Sequence, residues 1–280
     1  MALLIAVALA SCGSAARTSG APTSAAASRS PSPSVSITPA TAVRVAVIVM
    51  ENRGYDAVVN LPFVHSLETA ATLLTNYHAV SHPSLPNYLA LTSGTTWGIT
   101  DDGYHPLPRR DLGDQLTSAG VPWRAYMESM TGSCLASGGG YAVKHDPFAY
   151  YGGACPSQVV PFTQLAPDLQ SPSTPRFLWI TPNLCDDMHD CSSATGDAWL
   201  SRTVPALLHS PGMRNGVLFI TWDENEGSAG NQVLTLVLGA RSAATPAAPY
   251  THLSLLATIE DLLGIPRLPT TAGAAAIGLH

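Results

Sequence analysis

The chain has 280 residues, enough for one large domain or two small ones with a sizeable core. Its apolar fraction of 46% is that of a globular protein, which excludes wholesale disorder despite the abundance of Ala, Gly, Pro, Ser and Thr. With 13 Lys and Arg against 19 Asp and Glu, and no basic stretch, nucleic acid is excluded as a partner, and an anionic substrate would need a metal ion or a local cationic pocket.

The chain opens on a short apolar run, Leu3 to Ala10, too short to span a bilayer as a helix. It ends in Leu9-Ala10-Ser11-Cys12, which resembles a bacterial lipobox, so residues 1–12 read as an export signal with Cys12 as the lipidation site. No Lys or Arg precedes the run, and an ordinary secretory signal with an incidental Cys is the alternative. Residues 13–42 are almost entirely Ser, Ala, Thr and Pro and read as a disordered linker. Residues 43–280 are expected to form the functional domain, extracytoplasmic, either secreted or held to the membrane only by that lipid.

In chain order, apolar runs predict strands at Val43–Met50, Val121–Met127, Arg176–Thr181, Gly216–Thr221 and Gln232–Leu238. Helices are predicted at Pro62–Leu74, Leu85–Thr92, Leu112–Ala119, Trp199–His209 and Leu253–Leu263. The last has Thr251 as a cap, an apolar stripe of Leu253, Leu256, Ile259 and Leu263, and Gly264 at its end. Alternating strand and helix predicts an α/β fold, a mostly parallel central sheet sandwiched between helices. Ligands in such folds sit beyond the carboxyl ends of the strands, where Glu51, Glu128, Asn183 and Asp223 fall.

Glu51 and Asn52 pair a carboxylate with an amide oxygen, a set suited to a hard divalent cation, or else to capping a turn. Asp223, Glu224 and Glu226 crowd three carboxylates into four positions and repel one another unless a cation intervenes. Between these clusters lies Ser81-His82-Pro83-Ser84-Leu85-Pro86-Asn87-Tyr88, a hydroxyl on a proline-stiffened turn that opens a helix. Ser84 there is either an N-cap or a metal-activated nucleophile whose phosphoryl adduct the helix start would stabilise, with Asn87 as a further amide donor. Lys144 and His145 form the one Lys-His pair and can supply a cationic contact. Asn183, Asp187 and His189 belong to an acidic loop, in which His189 is expected to stay protonated. His252 opens the last helix, either packing there or reaching the site, whereas His65, His78, His105, His209 and His280 receive no role. Four cysteines predict two local disulfides, Cys134–Cys155 and Cys185–Cys191; their spacing is not that of paired zinc knuckles.

Together, Met-Glu-Asn-Arg, His-Pro-Ser-Leu-Pro-Asn-Tyr-Leu-Ala-Leu-Thr-Ser-Gly, Lys-His-Asp-Pro-Phe, Thr-Pro-Asn-Leu-Cys-Asp-Asp-Met-His-Asp-Cys, Thr-Trp-Asp-Glu-Asn-Glu-Gly and Tyr-Thr-His-Leu-Ser-Leu-Leu-Ala-Thr-Ile-Glu-Asp-Leu-Leu-Gly resemble the bacterial and fungal phosphoesterase family. That family holds secreted acid phosphatases and phospholipases C. The resemblance runs from about Val43 to Ile265. It implies an alkaline-phosphatase-like fold and a phosphoserine on Ser84. It also implies a divalent metal on Glu51, Asn52, Ser84, Asp223 and Glu224, with histidines at the phosphate. Oxygen ligands suit calcium, magnesium or manganese, while the wider superfamily often uses zinc. The expected partner is a small phosphorylated substrate cleaved as a phosphomonoester, with His145 or His189 assisting the leaving group. A phosphodiesterase or phospholipase C, and from another class a non-catalytic phospho-ligand-binding lipoprotein, are the alternatives. The long C-terminal β-rich extension of the phospholipases is not in this sequence, and oligomeric state is left undefined.

Overall fold

The computed structural model describes residues 43–228, 230–239 and 246–279, so Cys12, the 13–42 segment and His280 lie outside the described residues. Among the described residues there are nine strands: β1 (Val45–Met50), β2 (Ala71–Leu74), β3 (Tyr77–His78), β4 (Trp123–Met127), β5 (Val159–Pro161), β6 (Phe177–Thr181), β7 (Val217–Trp222), β8 (Thr235–Leu238) and β9 (Tyr250–Thr251). Seven form one sheet in the order β2-β8-β7-β1-β6-β4-β5, and β3 pairs with β9 apart from it. The run from β7 to β5 is parallel, while β8 and β2 extend it antiparallel. All six residues of β1 are fully buried, and since successive side chains point to opposite faces, both faces of the sheet are covered. The mostly parallel sheet between helices agrees with the expectation, and every predicted strand is present. The fifth is shorter, because residues 232–234 precede the paired segment.

One element departs from the sequence reading. The stretch expected to be one helix over Pro62–Leu74 is a short helix, Pro62–Ser66, then a 3₁₀ turn, Leu67–Thr69, and then β2. Ala71–Leu74 pairs with β8, and these ladder hydrogen bonds at the sheet edge outweigh a weak helical preference. Helices fall where expected at Ser84–Ser93, Leu112–Ser118 and His252–Leu263, while the one expected from Trp199 starts earlier, at Ser193, where the Ser192 side chain caps it by accepting the Thr195 N–H. Among the described residues no helix is long and apolar enough to cross a membrane.

Sheet register sets the functional rim. Met50 pairs with Trp222, so Glu51 and Asp223 leave the sheet side by side, tied by the Asp223 N–H donating to the Met50 carbonyl at 2.9 Å. The Glu51 N–H in turn donates to the Asp187 carbonyl at 2.9 Å, drawing the 183–191 loop over the end of β1. Disulfides Cys134–Cys155 and Cys185–Cys191 are present as expected.

Candidate active site

Ser84 is the first residue of a ten-residue helix whose side chains are all buried. Pro83 occupies the N-cap position, so the Ser84 hydroxyl is not capping; it points at the strand ends. Its Oγ donates to Glu51 Oε2 at 3.1 Å or Glu224 Oε1 at 3.2 Å, with Asn52 Oδ1 at 3.3 Å. Asn52 adopts the left-handed region (φ 44°), which aims its N–H at Asp223 Oδ1, 3.0 Å away. Two segments far apart in the chain thus deliver three oxygens to one hydroxyl.

Burial governs the electrostatics. Loss of solvation, then the charge of Asp223, pushes Glu51 well above the usual carboxylate range, while Asp223 is pushed up to about 8 by burial and Glu224. Asp187 rises to about 8 and Glu224 to about 7, both chiefly through burial. His145 is driven well below its ordinary value by burial and the neighbouring Lys144, so it is neutral. Its ring stacks on Tyr88 with centroids 5.3 Å apart, and the Tyr88 hydroxyl donates to Glu51 Oε1. Asp223 Oδ2 is buried without a hydrogen-bond partner, while His145 sits with Nε2 3.2 Å from Glu51 Oε2 and Nδ1 3.3 Å from Asp187 Oδ2, neither contact in hydrogen-bonding geometry. An orphaned acceptor among crowded carboxylates is what a divalent cation would satisfy, so the donor set fits one. Donor atoms of Glu51, His145 and His189 all lie within 4.8 Å of one another, a second grouping able to hold a metal ion.

At the mouth a lysine and a histidine each face a carboxylate. Lys144 Nζ donates to Asp102 Oδ2 at 2.9 Å and lies 3.1 Å from His189 Nε2. Although burial works against its charge, Asp102 holds the ammonium above its ordinary value. His189 Nδ1 is 2.7 Å from Asp190 Oδ1, and its side chain is a quarter exposed. Asp102 Oδ1 accepts the Leu85 N–H at 3.0 Å, so this first-turn donor, expected to face a phosphoryl oxygen, is already taken.

Several expected site residues are engaged elsewhere. Asn87 Nδ2 donates to the carbonyls of Ser81 and Pro83, and its Oδ1 accepts from the Val80 and Ser81 N–H groups, so it braces the turn that carries Ser84. Asn183 Oδ1 accepts from the Cys185 and Asp186 N–H groups and its Nδ2 donates to Asp186, closing its own loop. His252 is fully buried between the Tyr77 hydroxyl at 3.0 Å and the Asp223 carbonyl at 2.6 Å, the packing alternative. Glu128 accepts from Asn183 N and Trp199 Nε1, and Glu226 accepts from the Gly54 N–H. Three residues without an assigned role do reach the site: His82 against Glu224 Oε2, Tyr88 on Glu51, and Asp102. His82 and Tyr88 stand on either side of the Ser84-Leu85-Pro86-Asn87 motif, a signal that was available; Asp102 carried none.

Comparison with known proteins follows this geometry. A structure from the alkaline phosphatase superfamily of Vibrio parahaemolyticus superposes with a TM-score of 0.58 at 11% identity, over 83% of this chain and 69% of that one. The fold is therefore that of the alkaline phosphatase superfamily. Residues 58–266 match the Phosphoesterase family, and the chain belongs to that family. It is 35% identical over 233 residues to a phosphatidylinositol-3-phosphatase of Mycobacterium tuberculosis, covering 80% of this chain and 77% of the relative. It is 28% identical over 242 residues to a phosphate-repressible acid phosphatase of Penicillium chrysogenum, of which it spans 59% of the length. The protein is a hydrolase acting on phosphoric ester bonds.

Proposed function

We propose that the protein is an extracytoplasmic phosphomonoesterase that works through a phosphoserine on Ser84, with a divalent cation among the rim carboxylates. The convergence of Glu51, Asn52 and Glu224 on the Ser84 hydroxyl at 3.1–3.3 Å carries this reading. Both relatives described above are named as phosphatases, which favours monoesters over diesters.

Ser84 Oγ attacks phosphorus, its proton passing to Glu51 or Glu224 as the Oγ–P bond forms and the bond to the leaving alcohol breaks. Glu51, Asn52, Asp223, Glu224 and neutral His145 would hold the cation, whose charge would lower the hydroxyl pKa and offset the phosphoryl charge. Lys144 holds phosphoryl oxygens at the mouth, and His189, the more exposed imidazole, protonates the leaving oxygen. Water, giving a proton back to His189, then attacks phosphorus; the Oγ–P bond breaks, Ser84 recovers its proton from Glu51 or Glu224, and phosphate leaves. Two disulfides suit an oxidising compartment, and Leu9-Ala10-Ser11-Cys12 supports a lipid anchor at Cys12.

Release of nitrophenol from 4-nitrophenyl phosphate, with little from bis(4-nitrophenyl) phosphate, tests the reading; preferred turnover of the diester would overturn it. Cys12→Ala should shift the mature protein from detergent-soluble membrane to the medium, and unchanged partitioning would count against the anchor.

A further inference from the structure

Resting on that reading, we propose that the hollow beside Lys144 is the leaving-group pocket and selects phosphomonoesters of ring-bearing, aromatic alcohols. It has a volume of about 370 Å³ and is walled by Tyr104, Tyr150, Leu135 and Val143, with Lys144 and Asp102 at one end. Those two charged residues also border the nucleophile: Asp102 Oδ1 accepts from the Leu85 N–H next to Ser84, and Lys144 sits 3.1 Å from His189. An ester held with its phosphoryl group at Ser84 would thus direct its alcohol across the Asp102–Lys144 pair into the hollow.

The walls suit a flat apolar ring. Tyr104 packs against buried Tyr150, tilted at 40° with centroids 5.1 Å apart, which leaves the outer part of the Tyr104 ring for a ligand ring to meet by stacking or edge contact. Tyr104 (44% exposed) and Leu135 (38%) are two of the three exposed large hydrophobic side chains among the described residues. Tyr104 is anchored at its hydroxyl, and Leu135 follows an anchored stretch of backbone. The Tyr104 hydroxyl donates to the Ala149 carbonyl at 3.1 Å. Leu135 follows disulfide-bonded Cys134, whose carbonyl accepts the Tyr141 hydroxyl at 2.7 Å. A concave site with fixed apolar walls and a charged end is how ring-bearing ligands are commonly held.

The test compares 2-phenylethyl phosphate with propyl phosphate, alkyl esters of similar leaving-group basicity, on the wild type, Tyr104→Ala and Leu135→Ala. Both positions are exposed, so the variants should fold, which circular dichroism checks. Wild type should favour the phenylethyl ester in kcat/KM by about tenfold or more. Each variant should lose most of that preference through KM while its propyl phosphate kinetics stay within about twofold. Equal kcat/KM for the two esters in the wild type, or parallel losses on both esters in the variants, would overturn the pocket. No turnover of either ester by folded, metal-supplemented wild type would instead overturn the phosphomonoesterase reading.

Discussion

Ser84 Oγ lies 3.1 Å from Glu51 Oε2, although the two residues are 33 positions apart and belong to different elements. If this contact marks the nucleophile and its base, Ser84→Ala should lower turnover by several orders of magnitude, leaving only binding and electrostatic assistance. Ser81→Ala, whose exposed hydroxyl bonds only the adjacent His82 carbonyl, should stay within about tenfold, or ~1.4 kcal/mol. Vanadate or phosphate trapping followed by peptide mapping checks the assignment independently. Label on another residue would displace Ser84 from the mechanism.

Removing divalent cations by chelation and dialysis should abolish turnover and also lower the melting temperature. Without a cation, Asp223 and Asp187, each pushed up to about 8 chiefly by burial, are left facing other carboxylates. Asp223→Asn should reduce the metal content seen by elemental analysis together with the rate. A metal-free preparation with full activity and an unchanged melting curve would contradict this.

His189→Gln should hurt most where the leaving alcohol is poor. Loss of a proton donor typically costs about 10²–10⁴-fold. That loss is expected for propyl phosphate, whereas nitrophenyl phosphate, whose leaving group departs unprotonated, should lose far less. Equal losses on both esters would assign His189 to binding or metal ligation instead.

His252 makes stability depend on pH. Burial lowers it from 6.5 to about 4, so the unfolded chain takes up a proton that the folded chain refuses between those values. Its contribution is complete above about pH 6.5, falls as pH drops toward 4 and levels off below, a total of about 3 kcal/mol. Denaturant midpoints of His252→Asn should therefore be flatter than those of the wild type across this window. Parallel curves would refute it.

Much of the fold was legible because strands covered on both faces read as continuous apolar runs, as Val45–Met50 does. β2 was not, since Ala-Thr-Leu-Leu becomes a strand only by pairing with β8. At the site, the sequence showed which polar groups reach the rim but not which find backbone partners there. Asn87 and Asn183 look like ligand-facing amides until the N–H and carbonyl groups they satisfy are known. Asp102 lies in an exposed Asp-Asp-Gly turn and gains its place only when the chain folds it against Leu85 and Lys144. Conversely, Glu51, Asp223 and Glu224 were visible because each directly follows a strand.

The pairing of Met50 with Trp222 also bears on how the protein should be handled. A slip of one residue between β1 and β7 would turn Glu51 and Asp223 to opposite sides of the sheet while leaving an apolar run against an apolar run. Such a chain could remain compact and soluble yet be chemically silent. Turnover per molecule is therefore a stricter gauge of correct maturation than solubility or helix content, and refolded batches should be ranked by it.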